Sequence, residues 1–198
     1  MSARENVLGR VRSALGRQSA TPPPPPPAVR LTPPQFSVDQ KIELFCTALA
    51  KLSAKTYLAE SPASAADYVR RIAQESAVWA TDSPIVAECG IVYPGVEPAR
   101  AEIGVTGADY GLADTGSLVV LGSSDPRLAS LLPPVHIALL KRDRLLSGLD
   151  ELLMVLPRPA EQTSSMVLIT GTSRTADIEQ ILVRGVHGPG ELHVILLP

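Results

Sequence analysis

The stretch TYLAESPASAADYVRRIAQESAVWA, residues 56–80, decides the fold. Thr56 to Ala59 is a short β-forming run, and Ser61 followed by Pro62 pairs a capping side chain with a residue suited to a first helical turn. Ala65, Tyr68, Val69, Ile72 and Ala73 then recur at helical spacing, and Ala77 to Ala80 returns to a strand. A strand, a helix and a strand in this order predict a parallel pair, because parallel neighbours need a crossover and cannot be closed by a tight turn. Immediately upstream, Ser37 and Gln40 form a capping box for a helix whose stripe is Ile42, Phe45, Cys46, Leu49 and Leu52. Helix and strand thus alternate twice, which predicts an α/β domain with a mostly parallel sheet.

Downstream the pattern is less regular. Pro84, Pro94 and Pro98 interrupt residues 82–100, where only short strands are expected. Ile103 to Thr106 and Ser117 to Gly122 read as paired strands around a polar reversal, a β-hairpin element added to the sheet. Asp125 and Pro126 should start a short helix, and Val135 to Leu140 is a buried strand. Asp143 is expected to cap a helix with Leu145, Leu146, Leu149, Leu152, Leu153 and Leu156 facing inward. Met166 to Thr170 and Leu192 to Leu197 are apolar strands.

Residues 1–17 read as a separate amphipathic helical arm. Ser2 and Glu5 form a capping box, and Val7, Leu8, Val11, Ala14 and Leu15 share one stripe, with Arg4, Arg10, Arg12 and Arg17 on the other face. Six consecutive prolines lie within residues 18–36, which read as an extended linker, so the α/β domain is expected over 37–198. The arm has three available partners: another protein, a second copy in a homo-oligomer, or its own domain.

At 198 residues, with 45% apolar residues, the chain can build one sizeable core. A formal net charge of −2 gives no basic field for nucleic acid. Arginines break up the N-terminus and no apolar run approaches a membrane span, so a cytoplasmic protein with no membrane partner is expected. Cys46 and Cys89 stand far apart among apolar residues, which excludes a cysteine-ligated cluster or zinc within this chain, and three scattered histidines do not make a metal site.

Three segments carry chemistry. In VTGADYGLADTGS, residues 105–117, Gly107, Gly111 and Gly116 permit tight backbone while Thr106, Asp109, Asp114, Thr115 and Ser117 supply hydroxyls and carboxylates. These groups either hold a polar ligand or bond the amides of their own turn. In ITGTSRTADIEQ, residues 169–180, a strand end leads through Gly171, Ser173, Arg174 and Thr175 to the expected start of a helix. Its amides and Arg174 would suit a small anion, unless Asp177 in the first turn satisfies those amides itself. In RGVHGPG, residues 184–190, His187 between glycines is the best acid/base candidate, the alternative being a loop histidine that ties carbonyls together. His136 and His193 fall within strands and read as sheet-face residues.

GVTGADYGLADTGSLVV (104–120), RLASLLPPVHI (127–137), TGTSRTADIE (170–179) and GVHGP (185–189) with LHVILL (192–197) resemble the LutC/YkgG lactate-utilisation protein C family, whose members carry a LUD domain. The resemblance covers most of residues 103–198. It implies a three-layer α/β fold like the NagB/RpiA/CoA-transferase group. It also implies an accessory, non-redox subunit that supports oxidation of L-lactate to pyruvate with iron–sulfur partner proteins; the clusters sit on those partners and this chain holds no cofactor. Thr106, Asp109, Asp114, Thr115, Gly116, Gly171, Ser173, Arg174, Thr175, Asp177 and His187 are the site residues to be placed, with Asp109, Asp114 and His187 as the catalytic candidates. Two other functions fit the same residues. One is an independent enzyme on a small anionic or nucleotide-containing (CoA-like) substrate, anchored by Arg174 with His187 as acid/base; the other is a metabolite-binding regulatory module.

Overall fold

In a computed structural model of the chain, residues 2–16, 32–122, 127–175 and 183–198 are described. The expected helix start at Asp125 and Pro126, the helical turn holding Asp177, and most of the 18–36 linker lie outside them. The chain divides into two units, Met1–Arg30 and Leu31–Pro198. In the first, α1 (Ala3–Ala14) starts at the expected capping box, with Ser2 and Glu5 bonding each other's backbone amides, and Val7, Val11 and Leu15 are exposed along it.

The second unit is built on a five-stranded, wholly parallel sheet. Following α2 (Val38–Lys51) come β1 (Lys55–Leu58), α3 (Pro62–Ala73), β2 (Val78–Ala80), α4 (Pro84–Glu88) and β3 (Ile103–Gly107). A second layer begins with β4 (Tyr110–Leu112) and β5 (Ser117–Leu121), after which β6 (Val135–Lys141) returns to the main sheet. Then follow β7 (Leu145–Leu146), α5 (Leu149–Val155), α6 (Pro159–Gln162), β8 (Met166–Thr170), β9 (Arg174–Thr175), β10 (Val183–Arg184) and β11 (Glu191–Leu197). The strand order of the main sheet is β1-β11-β6-β3-β2 and that of the second is β7-β4-β5-β8; β9 and β10 form a small antiparallel pair.

Period-2 alternation assigns the faces of the parallel sheet. Ile103, Val105, Ile137, Leu139, Ile195 and Leu197 point to the layer of α3 and α4, where they pack with Val69, Ala73 and Val86. Their alternates Ala138, Leu140, Val194 and Leu196 point the other way, against Phe45 and Leu49 of α2 and Leu118 of β5. A third cluster, Leu112, Val119, Leu146, Leu152 and Leu156, closes the second sheet against α5. This is the three-layer α/β arrangement with a mostly parallel sheet that the sequence predicts, and each fully buried aliphatic side chain contributes about 1.5–3 kcal/mol to it.

Three local expectations are corrected. Residues 82–100 hold α4 and a 3-10 turn at Pro98–Arg100, not strands: Pro84 follows Ser83 at the first helical position, where its missing amide costs nothing. The hairpin is not made by 103–106 and 117–122. β3 is buried on both faces in the parallel sheet, and β5 instead pairs with β4 across a turn at 113–116. Asp143 caps no helix, because 142–144 is a 3-10 turn, Leu145 and Leu146 pair in parallel with β4, and α5 starts only after Gly148. Glu151 ties these pieces together: one carboxylate oxygen accepts from the Ser147 amide at 2.6 Å and its hydroxyl at 2.7 Å, while Lys41 of α2 pairs with the other at 3.0 Å.

Candidate functional site

At the N-terminal ends of β6 and β11 the main sheet stops short of β8, leaving a cleft of about 240 Å³. Its wall includes Ser130 and Leu131 on one side, Val167 to Ile169 of β8 on another, and the loops 171–173 and 187–189 at the mouth. Those two loops are laced by backbone: the Ser173 amide donates to the Pro189 carbonyl at 2.8 Å, and the Gly185 amide to the Ser173 carbonyl at 3.0 Å. The Gly190 amide donates to the Pro134 carbonyl at 3.0 Å, fixing the entry to β11 beside the entry to β6.

His136 lies in this wall because the alternation of β6 puts it on the same face as Ala138 and Leu140. It is 1% exposed, and its Nε2 meets Thr106 Oγ1 of β3 at 2.9 Å. Its Nδ1 has no partner. Burial lowers its pKa to about 4, so the ring is neutral at physiological pH. Thr172, in the same wall and 7% exposed, likewise has a hydroxyl without a partner. His187 is exposed at the mouth. Gly104 makes the roof feasible: a Cβ there would meet the Ala129 carbonyl oxygen at 1.8 Å, so the 3-10 turn Arg127–Ser130 can lie on β3 only over a glycine.

Among the sequence-predicted residues, Gly171, Ser173 and His187 line the cleft, and Thr106 reaches it through His136. Arg174 sits on β9 beside Ser173, exposed and outside the wall, with Thr175 next to it. Thr115, Ser117 and Thr170 form a chain of hydroxyls at 2.8 Å and 2.8 Å that fastens the β4–β5 turn to the end of β8. Gly116 (φ +67°) and Gly171 (φ +79°) both abut the C-terminal end of α2, where a Cβ would lie 2.9 Å from the Leu49 nitrogen and 2.7 Å from Leu52 Cβ respectively. Asp177 lies outside the described residues.

The two acidic candidates are elsewhere. Asp109 accepts from the Leu121 amide at 2.8 Å and lines a cavity of about 340 Å³ at the C-terminal ends of β2, β3 and β6, with the Lys141–Glu88 ion pair at 2.8 Å. Asp114 packs against Gly148 and lines a shallow depression with Lys51 and Thr47 of α2. The expected constellation of Asp109, Asp114, Arg174 and His187 is therefore not assembled: short β4 separates the two aspartates, and each faces a different cavity from His187.

Sequence reasoning missed His136 and Thr172 as members of the wall. The signal for His136 was its phase within VHIALL together with Thr106 on the neighbouring strand, which needs the strand pairing to be read. The remaining histidine is structural in its contacts: His193 bridges the Tyr68 hydroxyl and Glu191 at 2.8 Å each, on the opposite face. Among the described residues no three metal-ligating side chains gather, and no helix is long and apolar enough to cross a membrane.

The LUD domain family model matches residues 96–197, just over half of the chain and the whole of the cleft wall. Lactate utilization protein C of Halalkalibacterium halodurans is 41% identical over 95 residues, 46% of this chain and 41% of that protein. The protein of the same description from Anoxybacillus flavithermus is 36% identical over 99 residues, 50% of this chain and 44% of its own length. The matched regions thus span less than half of these relatives. A crystal structure of a DUF162 family protein from Deinococcus radiodurans superposes with a TM-score of 0.62 at 18% identity, covering 83% of this chain and all of that one. At that identity the likeness shows the fold.

Proposed function

Since this chain belongs to the LUD domain family, we propose that it serves L-lactate utilisation as an accessory, non-redox subunit. In this reading it works beside iron–sulfur partner proteins that carry the electrons, and it holds a small ligand in the cleft between β6, β8 and β11. The observation that carries the reading is the cleft itself. Its wall falls entirely within the span of the family model and includes His136 and Thr172, two of the buried side chains that carry a polar atom without a partner. Relatives described as lactate utilization protein C supply the pathway.

The test is genetic and biochemical together. A strain lacking this chain should fail to grow on L-lactate while growing normally on glucose, and the tagged chain should co-purify with its iron–sulfur partners. Normal growth on L-lactate without it removes the proposal. An independent enzyme is the second reading, favoured by the exposed His187 at the cleft mouth; it requires the isolated chain to turn over a substrate.

A further inference from the structure

A second cavity, of about 340 Å³, lies at the other end of the parallel sheet, beyond the carboxyl ends of β2, β3 and β6. Its place follows from the topology. β2 runs into α4, whose Val86 packs on the face shown by Ile103, Val105 and Ile137. β3, its parallel neighbour, runs into β4 on the opposite face, where a Cβ on Gly111 would meet Leu140 Cδ2 at 2.6 Å and Phe45 Cε2 at 3.2 Å. Where neighbouring parallel strands send their connections to opposite faces, the two loops part and leave a crevice, the usual ligand site of an open α/β sheet. The cavity is that crevice. Residues 83–85 line it from the β2 side and residues 107–110 from the β3 side, and Lys141 stands at the end of β6. Its volume falls at the lower end of the range for small-molecule sites, about 300–1,000 Å³.

The charged groups that line it differ in how far they are already engaged. Lys141 is paired with Glu88 at 2.8 Å, and the Asp109 carboxylate accepts from the Leu121 amide at 2.8 Å. Arg144 is exposed, its guanidinium carbon 5.7 Å from the centroid of the Tyr110 ring, and among the described residues it pairs with no carboxylate. The lining therefore holds one cation with no carboxylate partner. A carboxylate matches it in charge and in shape, since a guanidinium can receive both its oxygens through parallel hydrogen bonds. A dianion would bring a second negative charge toward Glu88 and Asp109 with no further unpaired cation to meet it. Pro84, Ile85, Ala108 and Leu121 make much of the remaining wall apolar, so the body of the ligand is uncharged.

We propose that this crevice is a ligand site separate from the cleft at the N-terminal ends of β6 and β11, and that it takes a small monocarboxylate, its carboxylate on the Arg144 guanidinium and its apolar body along Ile85, Ala108 and Leu121. The assignment rests on the topology and on the charges of the lining, and stands apart from the role proposed for the cleft.

The experiment is calorimetric titration of the full chain with phenylacetate, its neutral isostere phenylacetamide, and the dianion phenyl phosphate. Phenylacetate should bind about tenfold or more tightly than phenylacetamide, the ratio expected from hydrogen bonds to a charged group. It should also bind more tightly than phenyl phosphate. Arg144→Gln, a change at an exposed side chain, should bring phenylacetate down to the level of the amide, and Arg144→Lys should keep part of the preference. Amide resonances of residues 107–110 should shift on adding phenylacetate while those of 171–173 and 187–189 stay in place. Equal binding of acid and amide, an unchanged ratio in Arg144→Gln, tighter binding of phenyl phosphate, shifts confined to the cleft loops, or no binding by any of the three overturns the proposal.

Discussion

Thr106 Oγ1 and His136 Nε2 stand 2.9 Å apart on neighbouring parallel strands, two side chains on one face of the sheet, with His136 opposite Gly104 in register and Thr106 opposite Ala138. The contact holds the ring of a buried histidine whose other nitrogen has no partner.

Thr106→Val keeps the shape of the side chain and removes the partner of a buried nitrogen. It should destabilise the fold by about 1–3 kcal/mol, while Thr106→Ser loses less because the hydroxyl remains. Urea denaturation of the three proteins measures this; equal midpoints for Val and wild type would mean that the contact does not orient the ring.

Gly104→Ala sets a methyl group against the Ala129 carbonyl oxygen, at 1.8 Å if nothing moves. Backbone cannot yield as a flexible side chain does, so the turn at Arg127–Ser130 must lift, and a loss of about 1–3 kcal/mol or more is expected. Thermal melting reports the stability. An unchanged melting temperature would show that the turn does not rest on β3.

Stability should fall on the acid side. The folded pKa of His136 is about 4 against 6.5 for an exposed ring, so the unfolded chain takes the proton first. The contribution is fully present above pH 6.5 and is lost progressively between about 6.5 and about 4, up to about 3 kcal/mol at roughly 1.4 kcal/mol per unit. Burial also lowers His193, partly opposed by Glu191, and adds in the same direction. Denaturation at pH 7.5 and pH 5.0 should therefore show a weaker protein at pH 5.0, and His136→Gln should lessen that difference. A difference of the same size in His136→Gln would place the titrating group elsewhere.

His187→Ala removes an exposed loop side chain and should change stability by no more than about 0.5 kcal/mol. Its effect belongs to the role proposed for the cleft, read as growth on L-lactate. A large loss of stability would give His187 a structural role instead.

The layers were legible in the sequence wherever a pattern was long. Ser37 and Gln40, Ser61 with Pro62, and the apolar runs at 135–140 and 192–197 each carry their own physical signal, and each element stands where that signal puts it. What was not legible depends on pairing. Ile103 to Thr106 reads the same whether its neighbour is β5 or β6, and only burial on both faces decides for the parallel sheet. Leu145 and Leu146 fit a helical stripe as well as a two-residue strand, and the choice is made by β4 lying alongside. The candidate site divided in the same way. His187, Ser173 and Gly171 were visible as residues of polar, glycine-rich loops, whereas His136 and Thr172 became visible only once β6 and β8 enclosed a cavity. Asp109 and Asp114, close together in sequence, were sent to different cavities by the three residues of β4 between them.

In the proposed function, the cleft between β6, β8 and β11 is where the chain takes its part in lactate utilisation. The most direct measurement is growth on L-lactate of a strain whose own copy is replaced by the double variant Thr172→Val, His187→Ala, with the folded protein level checked in the same cells. Loss of growth on L-lactate is expected, with normal growth on glucose and a wild-type amount of folded protein; wild-type growth on L-lactate would remove the cleft from this role.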